Sequence, residues 1–172
     1  MSASASGFSR ALSALGAGGV RFVVVGVGGI NFYARTPAHA FATLDLDALL
    51  APTVANLRRA FQILSGLGYV FEAGGEPFVD LDDELVLRRI IENGASVSAL
   101  HVEAGQIDLM TSISGFDFAA LSKDAATFEV SGTAIRVGRL EKLLESKATS
   151  GRPKDLAFLQ AFESSRAEDE KP

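Results

Sequence analysis

The sequence predicts an α/β (α+β) fold, a single domain in which helices flank a mixed β-sheet. Three observations predict it. The length of 172 residues suits one domain. Strand-like and helix-like patterns alternate through the first half of the chain, and a β-rich second half ends in two helical segments. These features together favour layers of helix and sheet over a helical bundle.

The first half of the chain carries the alternating pattern. A short helix is expected over 9–15, and the apolar run over 21–25 is typical of a strand buried on both faces. Glycine-rich residues 26–29 break this strand before a short helix over 30–34, which must end ahead of Pro37. The elements that follow are predicted as a strand over 43–50, a helix over 54–66, a strand over 69–71 and a helix over 81–92.

The second half predicts two hairpins and two helices. The first hairpin turns at Ala104-Gly105 and the second around Ser131-Gly132-Thr133, because short β-prone runs flank each turn. The corresponding segments are 96–102 with 106–110, 127–130 with 135–137, and helices over 139–149 and 153–163. We therefore expect a domain over 8–163, with a flexible N-terminal tail over 1–7 and a flexible charged tail over 164–172.

Composition excludes several classes of function. The chain has no cysteine, so thiolate metal sites and disulfides are impossible. Its net charge is -5, which argues against a general nucleic-acid coat, because such binding depends on Lys and Arg. No segment has the roughly 20 apolar residues of a membrane span, and the N-terminus lacks the basic region of a signal peptide. We expect a cytoplasmic protein that does not bind membranes.

Three aspartates occupy the polar faces of predicted strands. Asp45 and Asp47 alternate with Leu44 and Leu46, so both carboxylates leave the same face of one strand. Asp108 lies on the polar face of a later strand by the same alternation. Carboxylate oxygens in fixed geometry are the ligands of a hard divalent cation. The pattern therefore predicts a site for Mg²⁺ or Mn²⁺ at Asp45, Asp47 and Asp108.

Two further features extend this site. Gly28 and Gly29 follow a buried strand and precede a predicted helix, where free backbone N–H groups can receive an anion such as a triphosphate. A turn at Ala104-Gly105 would also place His101 opposite Asp108 on the same face of the hairpin. His101 is therefore predicted to support the metal-binding carboxylate, although an ordinary surface histidine is the alternative.

These motifs, in this order, resemble the nucleotidyltransferase superfamily with the DNA polymerase β-like fold. The similarity is greatest to small prokaryotic members, the minimal nucleotidyltransferases and the abortive-infection nucleotidyltransferase proteins. It covers about residues 20–163, nearly the whole chain. The motifs that carry it are the apolar strand 23–25, Gly28-Gly29, Asp45-Leu46-Asp47, Asp108 within 106–110, Lys147 on a late helix, and Arg152 with Asp155 after it.

The resemblance implies an activity and a set of roles. The protein would transfer a nucleoside monophosphate from an NTP to a hydroxyl group of a small molecule, a protein or an RNA end. It would use Mg²⁺ or Mn²⁺, and a toxin or antitoxin partner is implied by the antitoxin-type members. Asp45, Asp47 and Asp108 would be the catalytic metal ligands, whereas nucleotide binding would fall to Gly28, Gly29, Thr43, Lys147 and Arg152.

Other interpretations remain open. Some proteins of this fold have lost catalysis, which would leave a binding or antitoxin protein. The spacing from Gly29 to Asp45 leaves 15 residues between them, more than the family pattern predicts, so this segment is either a loop over the site or a sign that the glycines are displaced. A dinucleotide-binding fingerprint is disfavoured by Asn31, where Gly or Ala is expected. An Asp-x-Asp phosphatase is disfavoured by Leu49, where Thr or Val is expected.

Overall fold

A mixed β-sheet organises the chain in the computed structural model, which describes residues 3–171 and their side chains from Gly7 onward. The strands in this part of the chain are β1 (Phe22–Val25), β2 (Asp45–Leu50), β3 (Val70–Ala73), β4 (Glu76–Pro77), β5 (Val97–His101), β6 (Gly105–Met110), β7 (Ser112–Ile113), β8 (Phe116–Asp117), β9 (Ala126–Val130) and β10 (Thr133–Val137). Eight of these described strands form one sheet in the order β4-β3-β5-β6-β2-β1-β10-β9, and β7 pairs with β8 separately.

Helices cover both faces of this sheet, and the predicted mixed α/β class is confirmed. The helices are α1 (Ala3–Ala17), α2 (Gly26–Asn31), α3 (Val54–Gly66), α4 (Glu84–Glu92), α5 (Phe118–Ser122), α6 (Leu140–Ser150) and α7 (Pro153–Asp169). None of the described helices is both long enough and apolar enough to cross a membrane.

Two apolar clusters lie on opposite faces of the sheet. Alternate residues of β1 divide between them, since Val24 belongs to the cluster that includes residues of α1, α3 and α4, whereas Val23 and Val25 belong to the one that includes residues of α2, α5 and α6. All four residues of β1 are buried, which accounts for the unbroken apolar run in the sequence. Helices α2, α5 and α6 cover the face of β1 that carries Val23 and Val25. On that same face of the sheet, β5 and β6 are left open and border a cleft.

The central strands run in both directions. Strand β1 is antiparallel to β2 and parallel to β10, whereas β2 is parallel to β6. Strand β6 in turn pairs antiparallel with β5. This order places the strand of Asp45 and Asp47 directly beside the strand of Asp108, as a metal site built from both would need.

The ends of several elements differ from the sequence predictions. Helix α1 begins at Ala3 and α7 continues to Asp169, so most of the segments 1–7 and 164–172, predicted as flexible tails, have helical backbone. Each extended end has a contact to the rest of the chain, since Phe8 of α1 packs against the core and Asp169 of α7 lies 3.2 Å from His39. Residues 1, 2 and 172 lie outside the described part of the chain.

Local corrections concern the strand and helix starts. Strand β2 begins at Asp45, and Leu44, predicted to face the core, is 93% exposed in the bend before it. Helix α2 starts at Gly26, four residues ahead of the predicted start at Ile30. The segment from β7 to α5 was not predicted, because strands of two residues are too short to show a period.

Candidate metal centre and cleft

Three carboxylates meet where β2 and β6 lie side by side. The parallel register pairs Asp47 with Asp108 and Asp45 with Gln106, so their side chains project from the same face of the sheet. One oxygen from each of the three carboxylates lies within 4.8 Å of the other two. The structure therefore brings together the three aspartates predicted from the sequence, although Asp108 follows Asp45 by 63 residues in the chain.

The electrostatics of this cluster favour a bound cation. Burial, followed by the charges of Asp45 and Asp108, raises the pKa of Asp47 to about 7. Burial and the nearby Asp108 also raise the pKa of Asp45. Such shifts mean that the three negative charges repel one another and are poorly hydrated. An oxygen-only set of ligands that needs positive charge fits Mg²⁺ or Mn²⁺.

Neighbouring polar side chains fix the orientation of the carboxylates. Oδ1 of Asp108 accepts hydrogen bonds from Ser98 Oγ at 2.7 Å and from Gln106 Nε2 at 2.8 Å. Thr43 Oγ1 lies 3.3 Å from Oδ1 of Asp45 and 3.0 Å from its backbone oxygen. Thr43, predicted to bind nucleotide, therefore also positions Asp45. Ser98 and Gln106 were not predicted, because their roles depend on the register between strands.

His101 does not support Asp108, so that prediction is wrong. The loop between β5 and β6 is longer than the two-residue turn assumed, and the register pairs Ser98 with Asp108 while His101 faces Gly105. Nδ1 of His101 instead accepts hydrogen bonds from the backbone N–H groups of Glu103 and Ala104, at 3.1 and 3.0 Å. The histidine thus holds the hairpin loop, and Ser98 occupies the place assigned to it.

The glycines at the start of α2 have different roles from those predicted. Gly28 and Gly29 do not line the cleft, since a Cβ at Gly28 would lie 2.7 Å from Leu46 Cδ1 and one at Gly29 would lie 3.0 Å from the Val24 carbonyl oxygen. Both lie where α2 packs closely, Gly28 against the end of a flexible side chain and Gly29 against backbone. Gly26 lines the cleft with a φ of +66°, and a Cβ there would clash with Oδ2 of Asp47. The glycine that borders the carboxylates is therefore Gly26.

Positive charge lies along one wall of the cleft, at the junction of α6 and α7. Lys147 and Arg152, both predicted to bind nucleotide, line the cleft together with Lys154. Lys147 Nζ and Arg152 Nε lie 3.1 and 2.9 Å from the carboxylate of Asp155, which also accepts a hydrogen bond of 2.5 Å from Ser150. Burial raises the pKa of Asp155, but these hydrogen bonds outweigh it and hold the pKa at about 2.

The buried Asp155 organises this wall. Replacing Asp155 with asparagine is expected to lower the free energy of unfolding by about 2 kcal/mol, because charge-assisted hydrogen bonds are lost from a side chain that is 1% exposed. Urea denaturation at neutral pH measures the change. Glu163→Gln removes the same charge from an exposed position of α7 and is expected to change stability little. Equal effects of the two substitutions would contradict the structural role of Asp155.

The opposite wall of the cleft is uncharged and rich in hydroxyl groups. The cleft has a volume of about 970 Å³, and the strands of the carboxylates, β6 and β2, lie between β5 on one side and β1 on the other. This second wall comes from β5, from the chain before it and from the segment that follows β6. Its hydroxyl groups belong to Ser96, Ser98, Ser112 and Ser114.

The long segment between Gly29 and Asp45 packs beside the cleft and does not cover it. The side chain of Asn31 exchanges hydrogen bonds of 2.9 and 2.8 Å with the backbone of Phe41. The ring of Phe41 packs on Phe158 of α7, with ring centroids 4.8 Å apart. Of the described residues between Gly29 and Asp45, Ala42 and Thr43 line the cleft. The extra length therefore anchors α7 against the rest of the domain.

Comparison with known proteins gives no family assignment. No protein-family model matches the chain, and a search of curated proteins finds no significant match. The function is therefore inferred from the chemistry of the cleft.

Proposed function

We propose that the protein is a Mg²⁺-dependent nucleotidyltransferase, which transfers a nucleoside monophosphate from an NTP to a hydroxyl acceptor. The observation that carries this proposal is the position of Asp45, Asp47 and Asp108 between a cationic wall and a hydroxyl-lined wall of one cleft. The reaction needs the same three parts, namely ligands for divalent cations, countercharge for a triphosphate and a place for the acceptor. The resemblance in sequence motifs points to the same chemistry.

The carboxylates would hold the cations and handle the proton. Mg²⁺ held by Asp45, Asp47 and Asp108 would supply positive charge to offset the phosphate oxygens and to favour ionisation of the attacking hydroxyl. The acceptor oxygen forms a bond to the α-phosphorus, and the bond from that phosphorus to the bridging oxygen breaks, so that pyrophosphate leaves with the electron pair. Oδ1 of Asp108 already accepts two hydrogen bonds, which leaves Oδ2 to take the hydroxyl proton.

The cationic wall would bind the triphosphate and the departing pyrophosphate. Lys147 and Arg152 share the one negative charge of Asp155, so the three groups retain a net positive charge, to which Lys154 adds. Asp155 orients both cations, and a guanidinium can also donate two parallel hydrogen bonds to a phosphate. Gly26, at the start of α2, allows close approach to the carboxylates because no Cβ projects there.

The hydroxyl-lined wall would receive the acceptor. Ser96, Ser112 and Ser114 can donate and accept hydrogen bonds, but they cannot neutralise a phosphate backbone. An acceptor that is itself an uncharged hydroxyl compound or side chain suits this wall better than an RNA end. The net charge of -5 for the whole chain agrees with that preference.

Two lysines of α6 provide a matched test. Lys147 lines the cleft and pairs with Asp155, whereas Lys142 pairs with Asp124 at 2.8 Å and is not part of the cleft lining. Lys147→Met is expected to weaken binding of Mg²⁺-NTP at least about tenfold, because a charge-assisted contact to phosphate is lost. Lys142→Met is expected to leave nucleotide binding unchanged. Isothermal titration with each NTP in Mg²⁺ measures both effects.

A transfer assay tests the reaction itself. The full chain is incubated with Mg²⁺, α-labelled NTPs and fractionated cell lysate, and labelled acceptors and pyrophosphate are measured. Label in a small-molecule, protein or RNA fraction, with equal release of pyrophosphate, supports the proposal and identifies the acceptor class. Absence of Mg²⁺-NTP binding would refute it. Binding of Mg²⁺-NTP without transfer in any fraction would favour a nucleotide-binding protein without catalysis, as in the antitoxin alternative.

A further inference from the structure

A second cavity lies on the opposite face of the sheet from the cleft. It has a volume of about 250 Å³ and is lined by Gly7, Arg10, Ala11, Leu67, Tyr69, His101, Glu103 and Ala104, a set that we call the Tyr69 cavity. His101 follows Val97 and Ala99 along β5, and these two residues are buried on the face covered by helices. Ser98, on the other face of the same strand, borders the cleft. The two sites are thus separated by the sheet.

A buried hydroxyl group is left without a protein partner in this cavity. Tyr69 is 4% exposed, and its hydroxyl has no hydrogen-bond partner among the described residues. A buried polar group without a partner costs stability, so the great majority of such groups in folded proteins are paired. Burial raises the pKa of the Tyr69 hydroxyl, with a smaller opposing effect of Arg10, so the phenol stays protonated and can donate.

Two more donors line the same cavity. Nδ1 of His101 accepts two backbone hydrogen bonds and cannot carry a proton, which places the proton of the neutral ring on Nε2. The imidazole packs against Tyr69 with ring centroids 5.1 Å apart. Arg10, exposed at the rim of the cavity, contributes a positive charge that acts on the Tyr69 hydroxyl. Glu103, the one carboxylate among the described lining residues, is exposed at the rim.

The rest of the lining is apolar. Ala11 and Ala104 are buried, and Leu67 packs beside the main core. A site with one cation, two neutral donors and apolar walls matches a ligand with one compact anionic group and an apolar body. We propose that the Tyr69 cavity is a second binding site, for a small carboxylate of this kind. The proposal does not depend on the function of the cleft.

The two tyrosines of the chain make the site directly measurable. The sequence has two tyrosines and no tryptophan, so fluorescence of a Tyr33→Phe variant reports Tyr69 alone. In the full chain with EDTA and no nucleotide, 3-methylbutanoate is expected to change this fluorescence with saturation. Its neutral amide is expected to bind at least about tenfold more weakly, because the charge-assisted contacts are lost. Arg10→Gln, introduced with Tyr33→Phe, is expected to weaken carboxylate binding to a similar degree.

Stability provides a second and independent readout. Without ligand, Tyr69→Phe is expected to raise the urea midpoint, because the substitution removes a buried hydroxyl that has no partner. Tyr33→Phe is expected to lower it, since the Tyr33 hydroxyl donates to the Gly138 carbonyl at 2.7 Å. Adding 3-methylbutanoate is expected to raise the midpoint of Tyr33→Phe but not that of Tyr69→Phe. Two results would overturn the proposal. One is equal binding of the acid and its amide, and the other is a urea midpoint of Tyr69→Phe that rises with 3-methylbutanoate as much as that of Tyr33→Phe.

Discussion

Replacing Asp45 and Asp47 together with asparagine is expected to reduce Mg²⁺-dependent nucleotidyl transfer by roughly a thousandfold or more, while the fold is retained. Asparagine has nearly the same shape as aspartate but carries no charge and offers one carbonyl oxygen in place of two. The variant therefore loses two of the three carboxylates that lie within 4.8 Å of one another. Release of pyrophosphate and labelling of the acceptor measure the loss.

The charge change itself needs a control elsewhere on the surface. Glu76→Gln with Asp80→Asn also removes two negative charges, from exposed residues outside the cleft lining. This control is expected to keep transfer within about twofold of the original rate, since exposed charges at a distance are screened by salt. Full transfer by the Asp45 and Asp47 double variant would show that these carboxylates do not bind the catalytic cations.

Stability separates loss of the site from loss of the fold. Because Asp45 and Asp47 both have raised pKa values, their charges destabilise the folded chain near neutral pH when no cation is present. The double variant is therefore expected to be more stable than the original chain in EDTA, although it is inactive. A variant that lost activity by unfolding would show the opposite change in the urea midpoint.

The main features of the site follow from local sequence pattern. The alternation in Asp45-Leu46-Asp47 and in Ile107-Asp108-Leu109 predicts which face each carboxylate occupies, and the structure places them so. The helix over 54–66 was predicted with its observed bounds, because apolar spacing and the cap residue Thr53 agree. Local pattern was sufficient for these elements because the spacing of apolar residues and the residues at the ends of the element agreed.

Features that depend on distant contacts could not be predicted. The place of His101 depends on the length of one hairpin loop, and an error there moves a residue to another partner. Asp155 is part of the sequence motif, but its burial and its pairing with Lys147 depend on how α7 packs against α6. The glycine beside the carboxylates is Gly26 because α2 begins directly after β1, a boundary that neither spacing nor composition specifies.

Stability without divalent cations is expected to decrease as pH rises from about 4.5 to about 8. The pKa of Asp47 is about 7 in the folded chain, against 3.8 for an unperturbed carboxyl group. Between these values the unfolded chain has released a proton that the folded chain still holds, so a rise in pH favours unfolding. The free energy of unfolding is expected to fall by up to about 3 kcal/mol over this range. Asp45 contributes in the same direction.

The lowered pKa of Asp155 does not reverse this trend in the same range. The lowered pKa of Asp155, about 2, stabilises the folded chain once the unfolded carboxyl is ionised, which is nearly complete at about pH 4.5. Urea midpoints measured in EDTA across the range give the pH dependence. Asp47→Asn is expected to flatten it, because the group with the largest upward shift is removed. A midpoint that rises with pH in the original chain would contradict the raised pKa of Asp47.

Addition of Mg²⁺ is expected to offset this loss of stability at high pH. The cation binds the ionised carboxylates of the folded chain, so its stabilising effect increases as the pH rises through about 7. At a Mg²⁺ concentration of about 100 times the dissociation constant, the gain is about 3 kcal/mol, enough to offset the loss. Matched ionic strength in NaCl is the control, because simple screening of the carboxylate charges would be the same with Na⁺ as with Mg²⁺. If NaCl stabilises the chain as much as Mg²⁺ does at about pH 8, the three carboxylates are not a divalent-cation site.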